Sequence, residues 1–281
     1  MTAADELFPA SPRVIYAKAP LRQVICQLRF PPILRIESTA PADFQDRIRA
    51  TFPLLERQVQ QMNLVEGVPA EFAQLLVNAP TGTSYIFRTE DQSHTLTLAP
   101  DWLAFSTTKY TRWEAFRALL DPPLNALIEI YKPTFFSRIG LRYQNSIQRS
   151  ALNLTEHRWA DLLRPEILGA LALPQFEANI VEVRKSIRVK LPDGSGAVFV
   201  QHGFGGNQGR DQNIYLLDFD FSTEKTEVQN AITVLDDFHT RAGTAFRWCI
   251  TPLLHERLGP ERLDQSPRDT RTAHRRSRNI R

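Results

Sequence analysis

Two cysteines in 281 residues, Cys26 and Cys249, leave little scope for a disulfide framework. Secreted domains that rely on bridges carry more of them. Set in the apolar stretches Val24-Ile25-Cys26-Gln27-Leu28 and Trp248-Cys249-Ile250, both are predicted to be small core residues. No apolar run approaches the roughly 18 residues that cross a bilayer. The opening Met1-Thr2-Ala3-Ala4-Asp5-Glu6-Leu7 is acidic and lacks the apolar stretch of a signal peptide, so no membrane association and a cytoplasmic location are expected. The six histidines show no metal-ligand spacing. No Gly-X-Ser-X-Gly elbow is present, and neither cysteine sits in a nucleophile context. These absences remove the common signatures of a metalloenzyme or hydrolase.

What is present is a globular composition, 42% hydrophobic and 23% charged, which excludes a collagen-like or wholly disordered chain. The hydrophobic pattern divides it into an arm (1–15), a first half (16–133), a second half (134–258) and a basic tail (259–281). In the first half, 22–30 reads as a strand stopped by Pro31-Pro32. A helix is expected over 40–62, from Phe44, Ile48, Phe52, Leu55 and Val59, and then strands at 71–78, 84–90, 94–99 and 102–108. A helix over 111–131 follows, with Thr111 and Glu114 spaced as a capping box. The second half repeats the order: a strand at 135–149, short helical pieces near 156–171, strands at 177–191, 196–203 and 213–221, and a helix over 224–258 bent at Gly243 and Pro252. Strands clustered between helices imply an α+β fold with antiparallel sheets. Strand, helix, strands, helix, taken twice, is the duplicated saddle-like topology of the TATA-binding-protein fold, an analogy that transfers no function.

Four segments carry a family resemblance. Tyr16-Ala17-Lys18-Ala19-Pro20-Leu21 leads into Val24–Phe30; Arg138-Ile139-Gly140-Leu141-Arg142-Tyr143-Gln144-Asn145 is the most specific stretch; Leu216–Phe221 is the third. Leu235-Asp236-Asp237-Phe238-His239 with Phe246–Thr251 is the last. Together they resemble the TIGR04255 family of sporadically distributed bacterial proteins. The resemblance implies a prokaryotic cytoplasmic protein, and it brings no catalytic residues and no cofactor with it.

Alternation gives each long strand two faces. Arg138, Gly140, Arg142, Gln144 and Ser146 share one, opposite Ile139, Leu141, Tyr143 and Ile147. Glu182, Arg184, Ser186, Arg188 and Lys190 share one, and so do Leu216, Asp218 and Asp220. This face is either a solvated sheet laced with cross-strand ion pairs or a surface that binds a protein partner or an anionic ligand. Arg138, Arg142, Arg184 and Arg188 would supply its guanidinium contacts, beside His202, Asp218 and Asp220. Asp218 and Asp220 would hold a divalent metal only if His202 or Glu182 came beside them. Gly203-Phe204-Gly205-Gly206-Asn207-Gln208-Gly209 has glycines enough for a phosphate loop. It lies between strands, without a following helix or the Gly-Lys-Ser/Thr ending, so it reads as a hairpin loop. His239, between Asp237 and Arg241, reads as an exposed helix residue ahead of the alternative, a contact in a helix-to-sheet groove.

The net charge of +3 is misleading. Residues 262–281 hold seven arginines and two aspartates, which leaves 27 basic and 29 acidic residues in 1–261. A tail so poor in apolar residues is expected to be disordered in isolation, with Arg271, Arg275, Arg276 and Arg278 as candidate phosphate contacts. The leading expectation is a non-catalytic interaction protein of a bacterial accessory or conflict system, its protein partner encoded nearby. A nucleic-acid-binding protein using the tail and a metal-dependent enzyme at the Asp218/Asp220 face are the alternatives. The oligomeric state is not legible in the sequence.

Overall fold

Strand pairing explains the duplicated pattern. The computed structural model describes residues 7–59, 83–204 and 214–262. The first half comprises β2 (Leu21–Arg29), α1 (Leu34–Ser38), α2 (Ala42–Ile48), β3 (Leu54–Val59), β4 (Thr83–Arg88), β5 (His94–Ala99), β6 (Trp102–Thr107) and α3 (Trp113–Tyr131). The second comprises β7 (Phe136–Gln148), the single-turn helices α4 (Trp159–Leu162), α5 (Pro165–Leu168) and α6 (Pro174–Glu177), β8 (Val183–Lys190), β9 (Ala197–Phe204), β10 (Ile214–Thr226) and α7 (Ala231–Cys249). A short α8 (Pro252–Arg257) follows, and β1 (Val14–Tyr16) pairs with β11 (Pro260–Arg262).

The fold is α+β, with a nine-stranded antiparallel sheet in the order β3-β4-β5-β6-β2-β7-β10-β9-β8. Each half places its first strand innermost and its last strand beside it, then runs outward in reverse. β2 and β7 therefore meet antiparallel at the centre, with Val24 opposite Tyr143 and Cys26 opposite Leu141.

One face is sealed by helices. α3 buries Phe116, Leu120, Leu124 and Leu127, and α7 buries Leu235, Phe238, Ala242, Ala245 and Cys249, both at helical spacing. These stripes meet the inward positions of the strands: Phe116 contacts Phe105 at 4.7 Å between ring centres, and Phe238 contacts Phe221 at 6.0 Å. Trp159 of α4 covers Tyr215 on the same side. One continuous core results. Both cysteines lie in it as free, buried thiols, and burial pushes each thiol up to about 12.

Several boundaries differ from expectation for identifiable reasons. The helix expected over 40–62 ends at Ile48, and Leu54–Val59 after Pro53 form β3, because the pyrrolidine denies the helix a hydrogen bond there. The helix expected over 224–258 splits at Ile250. There Thr251 caps α8, its side chain accepting from the Leu254 N–H, with Pro252 at the first helical position. α7 passes through Gly243 without interruption. The expected strand over 177–191 is regular only from Val183. Arg112, not Thr111, stands at the N-cap of α3, and Glu114 forms no box with a capping side chain: it binds Arg13 of the arm instead. Part of the arm and the first residues of the expected tail are paired as β1 and β11. The strand expected at 71–78 lies outside the described residues, as do Gly205–Gly209 and Arg271, Arg275, Arg276 and Arg278. No helix among the described residues is long and apolar enough to cross a membrane.

Candidate binding surface

No helix among the described residues covers the second face of the sheet, and a single register row can be followed across all its strands. From one edge it runs Leu54, Arg88, Thr95, Ser106 and Ile25. It continues through Arg142, Asp220 and Phe199 to Arg188 at the other edge. The next row carries Gln23, Gln144, Asp218, Gln201 and Ser186. The alternation read from the sequence therefore places Arg138, Arg142, Arg184, Arg188, Asp218 and Asp220 on this one face.

The central charges are tied to one another diagonally. Arg142 Nε donates to Asp218 Oδ1 at 2.8 Å, and Gln144 Nε2 donates to Asp218 Oδ2 at 3.1 Å. Arg138 Nη2 donates to Asp220 Oδ2 at 2.8 Å, and its Nη1 to Gln27 Oε1 at 3.3 Å. Gly140 makes this second pair feasible: a Cβ there would stand 2.3 Å from Arg138 Nη1, where the guanidinium lies over the glycine. Burial raises the Asp220 carboxyl above its ordinary value, while Arg138 and Arg142 pull it down. The Asp218 side chain is 15% exposed and that of Arg142 37%, so the carboxylate is shielded while the guanidinium reaches water. Two carboxylates already engaged by guanidinium groups are poor cation ligands. Among the described residues no group of three or more His, Cys, Asp or Glu is placed to hold a metal.

Toward the β8 edge the arrangement loosens. Arg184 pairs with the neighbouring Glu182, which stays outside the sheet and away from the two aspartates. Arg188 has no carboxylate partner among the described residues and lies over the Phe199 ring at 5.6 Å. His202 is corrected outright. It shares the inward side of β9 with Val198, Val200 and Phe204, is buried, and bonds through Nδ1 to the Tyr215 hydroxyl at 2.8 Å. Burial pushes its pKa down to about 4, so it is a neutral core residue that never meets Asp218 or Asp220. Gly203 sits at φ +147°, and a Cβ there would lie 1.8 Å from the Val183 carbonyl oxygen. This glycine serves the close approach of β8 to β9.

A second polar constellation, not recognised from the sequence as a site, lies on the helix side where the arm crosses α3 and α7. Arg13 holds Glu114 through two hydrogen bonds of 2.7 and 3.0 Å and pulls its carboxyl down to about 2. Trp113 Nε1 and Arg117 Nη1 both donate to Asp236 Oδ1, at 2.7 and 2.6 Å. Arg117 also reaches Asp121, so one guanidinium joins the two aspartates that follow Leu120 and Leu235 in the closing helices. His239 is not an exposed helix residue but the alternative expected for it, a contact between helix and sheet. Its ring stacks on Trp113 at 4.8 Å between centres and 7° between planes, and its Nδ1 lies 2.9 Å from the Tyr143 hydroxyl. Desolvation pushes His239 down to about 4 and Tyr143 well above its ordinary value, so both are neutral near pH 7. Beside them lies a cavity of about 170 Å³. Its residues come from the arm, β7, the start of α3 and α7, and no local pattern joins segments so far apart. No protein-family model matches the chain, and no curated protein matches it at a significant level.

Proposed function

We propose that the protein is a non-catalytic binding protein that engages a protein partner across the uncovered face of its sheet. The observation that carries this reading is the face itself: nine strands wide, bare of the chain's own helices among the described residues, and internally neutralised at its centre. An anionic ligand seated at Arg138 or Arg142 would have to displace Asp220 or Asp218, losing charge-assisted hydrogen bonds that a mixed protein surface leaves intact. Apolar side chains are spaced along the face, at Leu54, Ile25, Phe199 and Leu216, and Leu216 is 43% exposed. Arg188, which has no carboxylate partner among the described residues and lies over Phe199, supplies a cation at the rim. The resemblance of the Arg138–Asn145 and Leu216–Phe221 segments to a bacterial family extends the proposal to a bacterial cytoplasmic accessory or conflict system, with the partner encoded nearby.

Affinity capture from the native host tests it, using the wild-type chain and a Phe199→Glu/Leu216→Glu variant whose circular dichroism is unchanged. A stoichiometric partner retained by the wild type and lost by the variant is expected. Absence of any stoichiometric partner, or equal capture by both chains, would overturn the proposal. The same preparation titrated with oligonucleotide at rising salt tests the nucleic-acid alternative, whose binding must be steeply salt-dependent.

A further inference from the structure

The sheet ends on β8, whose backbone groups directed away from β9 meet no other strand among the described residues. Its eight residues hold four cations and no carboxylate. Lys185 points to the helix side, where its Nζ donates to the carbonyl groups of Ile167 and Leu168 at 3.1 and 2.7 Å. The other three, Arg184, Arg188 and Lys190, share the open face. Their neighbours on β9 are Gly203, Phe199 and Ala197, so no acid stands beside them there. Arg184 pairs with Glu182 ahead of the strand, but its side chain is 74% exposed, and such a pair holds it weakly. Ile187, on the helix side, is 54% exposed. β8 therefore offers a row of cations on one side, an uncovered apolar residue on the other, and an unpaired hydrogen-bonding edge between them.

The opposite edge differs. β3 carries Glu56 and Arg57, and Arg88 holds Glu56 at 2.7 Å. An edge strand is a template for further strands, and charge decides which ones it accepts. A second copy is disfavoured at β8. Antiparallel self-pairing centred on Ser186 sets Arg184 against Arg188, and pairing centred on Ile187 sets Arg184 against Lys190. Like charges directly opposite destabilise a ladder. A strand with carboxylates at alternate positions meets the three cations instead, and its intervening residues fall beside Val183, Ile187 and Val189.

We propose that β8 takes up an extended acidic segment of a protein partner as a tenth strand, with acidic and apolar residues in alternation. The inference rests on the reading of this chain as a binder of protein, and adds where the partner enters and what its sequence must contain.

The test uses the full chain and a fluorescein-labelled, end-capped peptide of alternating Glu and Val, as long as β8. Anisotropy should show saturable binding that weakens as salt rises, and amide hydrogen exchange should slow in β8 and not in β3. A Lys/Val peptide should not bind. Arg184→Glu/Arg188→Glu, two exposed substitutions that leave circular dichroism unchanged, should weaken the Glu/Val peptide about tenfold and admit the Lys/Val peptide. Backbone pairing is read separately by two peptides, N-methylated at every Glu or at every Val. One set of alternate N–H groups faces β8, so one peptide should lose binding and the other keep it. No saturable binding at about 1–2 mM peptide, where millimolar sites fill, would overturn the proposal. So would equal binding by an oligoglutamate of the same length, an equal effect of the two N-methylations, or protection confined to other elements. Capture of the native partner separates the two readings. A partner lost with Phe199→Glu/Leu216→Glu but kept with Arg184→Glu/Arg188→Glu would overturn the edge and leave the face standing. Absence of any partner would overturn the face, and the peptide result would still decide the edge.

Discussion

Replacing Arg138 with methionine removes the cation that holds Asp220 while keeping most of the side-chain volume. In the wild type the two groups meet at 2.8 Å, with 28% and 26% of their side chains exposed. A hydrogen bond to a charged partner contributes about 1.5–3 kcal/mol, and stripping the partner from a fully buried carboxylate costs about 3–5 kcal/mol. Partial solvation and the continuing influence of Arg142 reduce the second figure, so a loss of about 2 kcal/mol is expected. For a chain of this size that lowers Tm by roughly 4–8 °C. The sign of the pH dependence follows from Asp220, whose carboxyl is raised by burial against the pull of Arg138 and Arg142. A carboxyl with a raised folded-state pKa binds its proton more tightly in the folded chain. Stability is therefore lost as pH rises from the unfolded to the folded pKa, and stays lost above it. Removing Arg138 raises the carboxyl further and widens that window upward. The Tm deficit of Arg138→Met relative to wild type should be full at pH 8 and shrink as pH falls and Asp220 takes up its proton. Thermal unfolding followed by circular dichroism at several pH values measures it, and adding Asp220→Asn should recover most of the loss. An equal deficit at pH 8 and pH 4, or losses from Arg138→Met and Asp220→Asn that simply add, would refute the assignment of a coupled buried pair.

Gly203→Ala should destabilise by roughly 2 kcal/mol or more, because the new methyl meets the Val183 carbonyl; a Tm within 1 °C of wild type, about the shift expected of roughly 0.3–0.5 kcal/mol, would refute the close approach. Cys26 and Cys249 should resist a thiol reagent at pH 8 until the chain unfolds, since burial holds both thiols near 12; rapid native labelling would contradict this. His202 and His239 are both held down to about 4, below their unfolded value, so stability should fall as pH drops from about 6.5 toward 4. His202→Gln should make that acid slope shallower in urea titrations. Truncation after Arg262 removes six arginines and should abolish cation-exchange retention near neutral pH while leaving Tm unchanged.

The parts of this fold that the sequence reveals are those governed by short-range periodicity. An antiparallel sheet with one sealed face forces alternation, so Ile139-Leu141-Tyr143 and Tyr215-Leu217-Phe219 identify their inward sides without reference to anything distant. His202 shares the parity of Val198 and Val200, and that alternation alone places it inside, away from Asp218 and Asp220. Leu55 and Val59 continue a helical spacing, yet Pro53 overrides it, and Thr251-Pro252 likewise marks a new helix where the apolar stripe reads as continuous. The diagonal pairing of Arg138 with Asp220 had no local signal, because it depends on a strand register between segments some eighty residues apart. The cavity is less legible still. Tyr110, Tyr143 and His239 come together only when an arm, two helices and a central strand are assembled, and Gly243, which reads in sequence as a bend, takes its meaning from empty space beside it.

The pairing of Val14 with Arg262 and Tyr16 with Pro260 has a consequence for the order of events during synthesis. Contacts between residues so remote close the longest strand-paired loop among the described residues, and closure of a loop that long is entropically demanding. On the ribosome the arm emerges before the sheet and must wait for β11, which comes after both α3 and α7. The sheet can assemble one half at a time, with the hairpins of the first half paired before the second is made. The arm, by contrast, is tied down late, when the chain after α8 brings the carbonyl groups of Leu258 and Gly259 to the backbone N–H groups of Lys18 and Ala17.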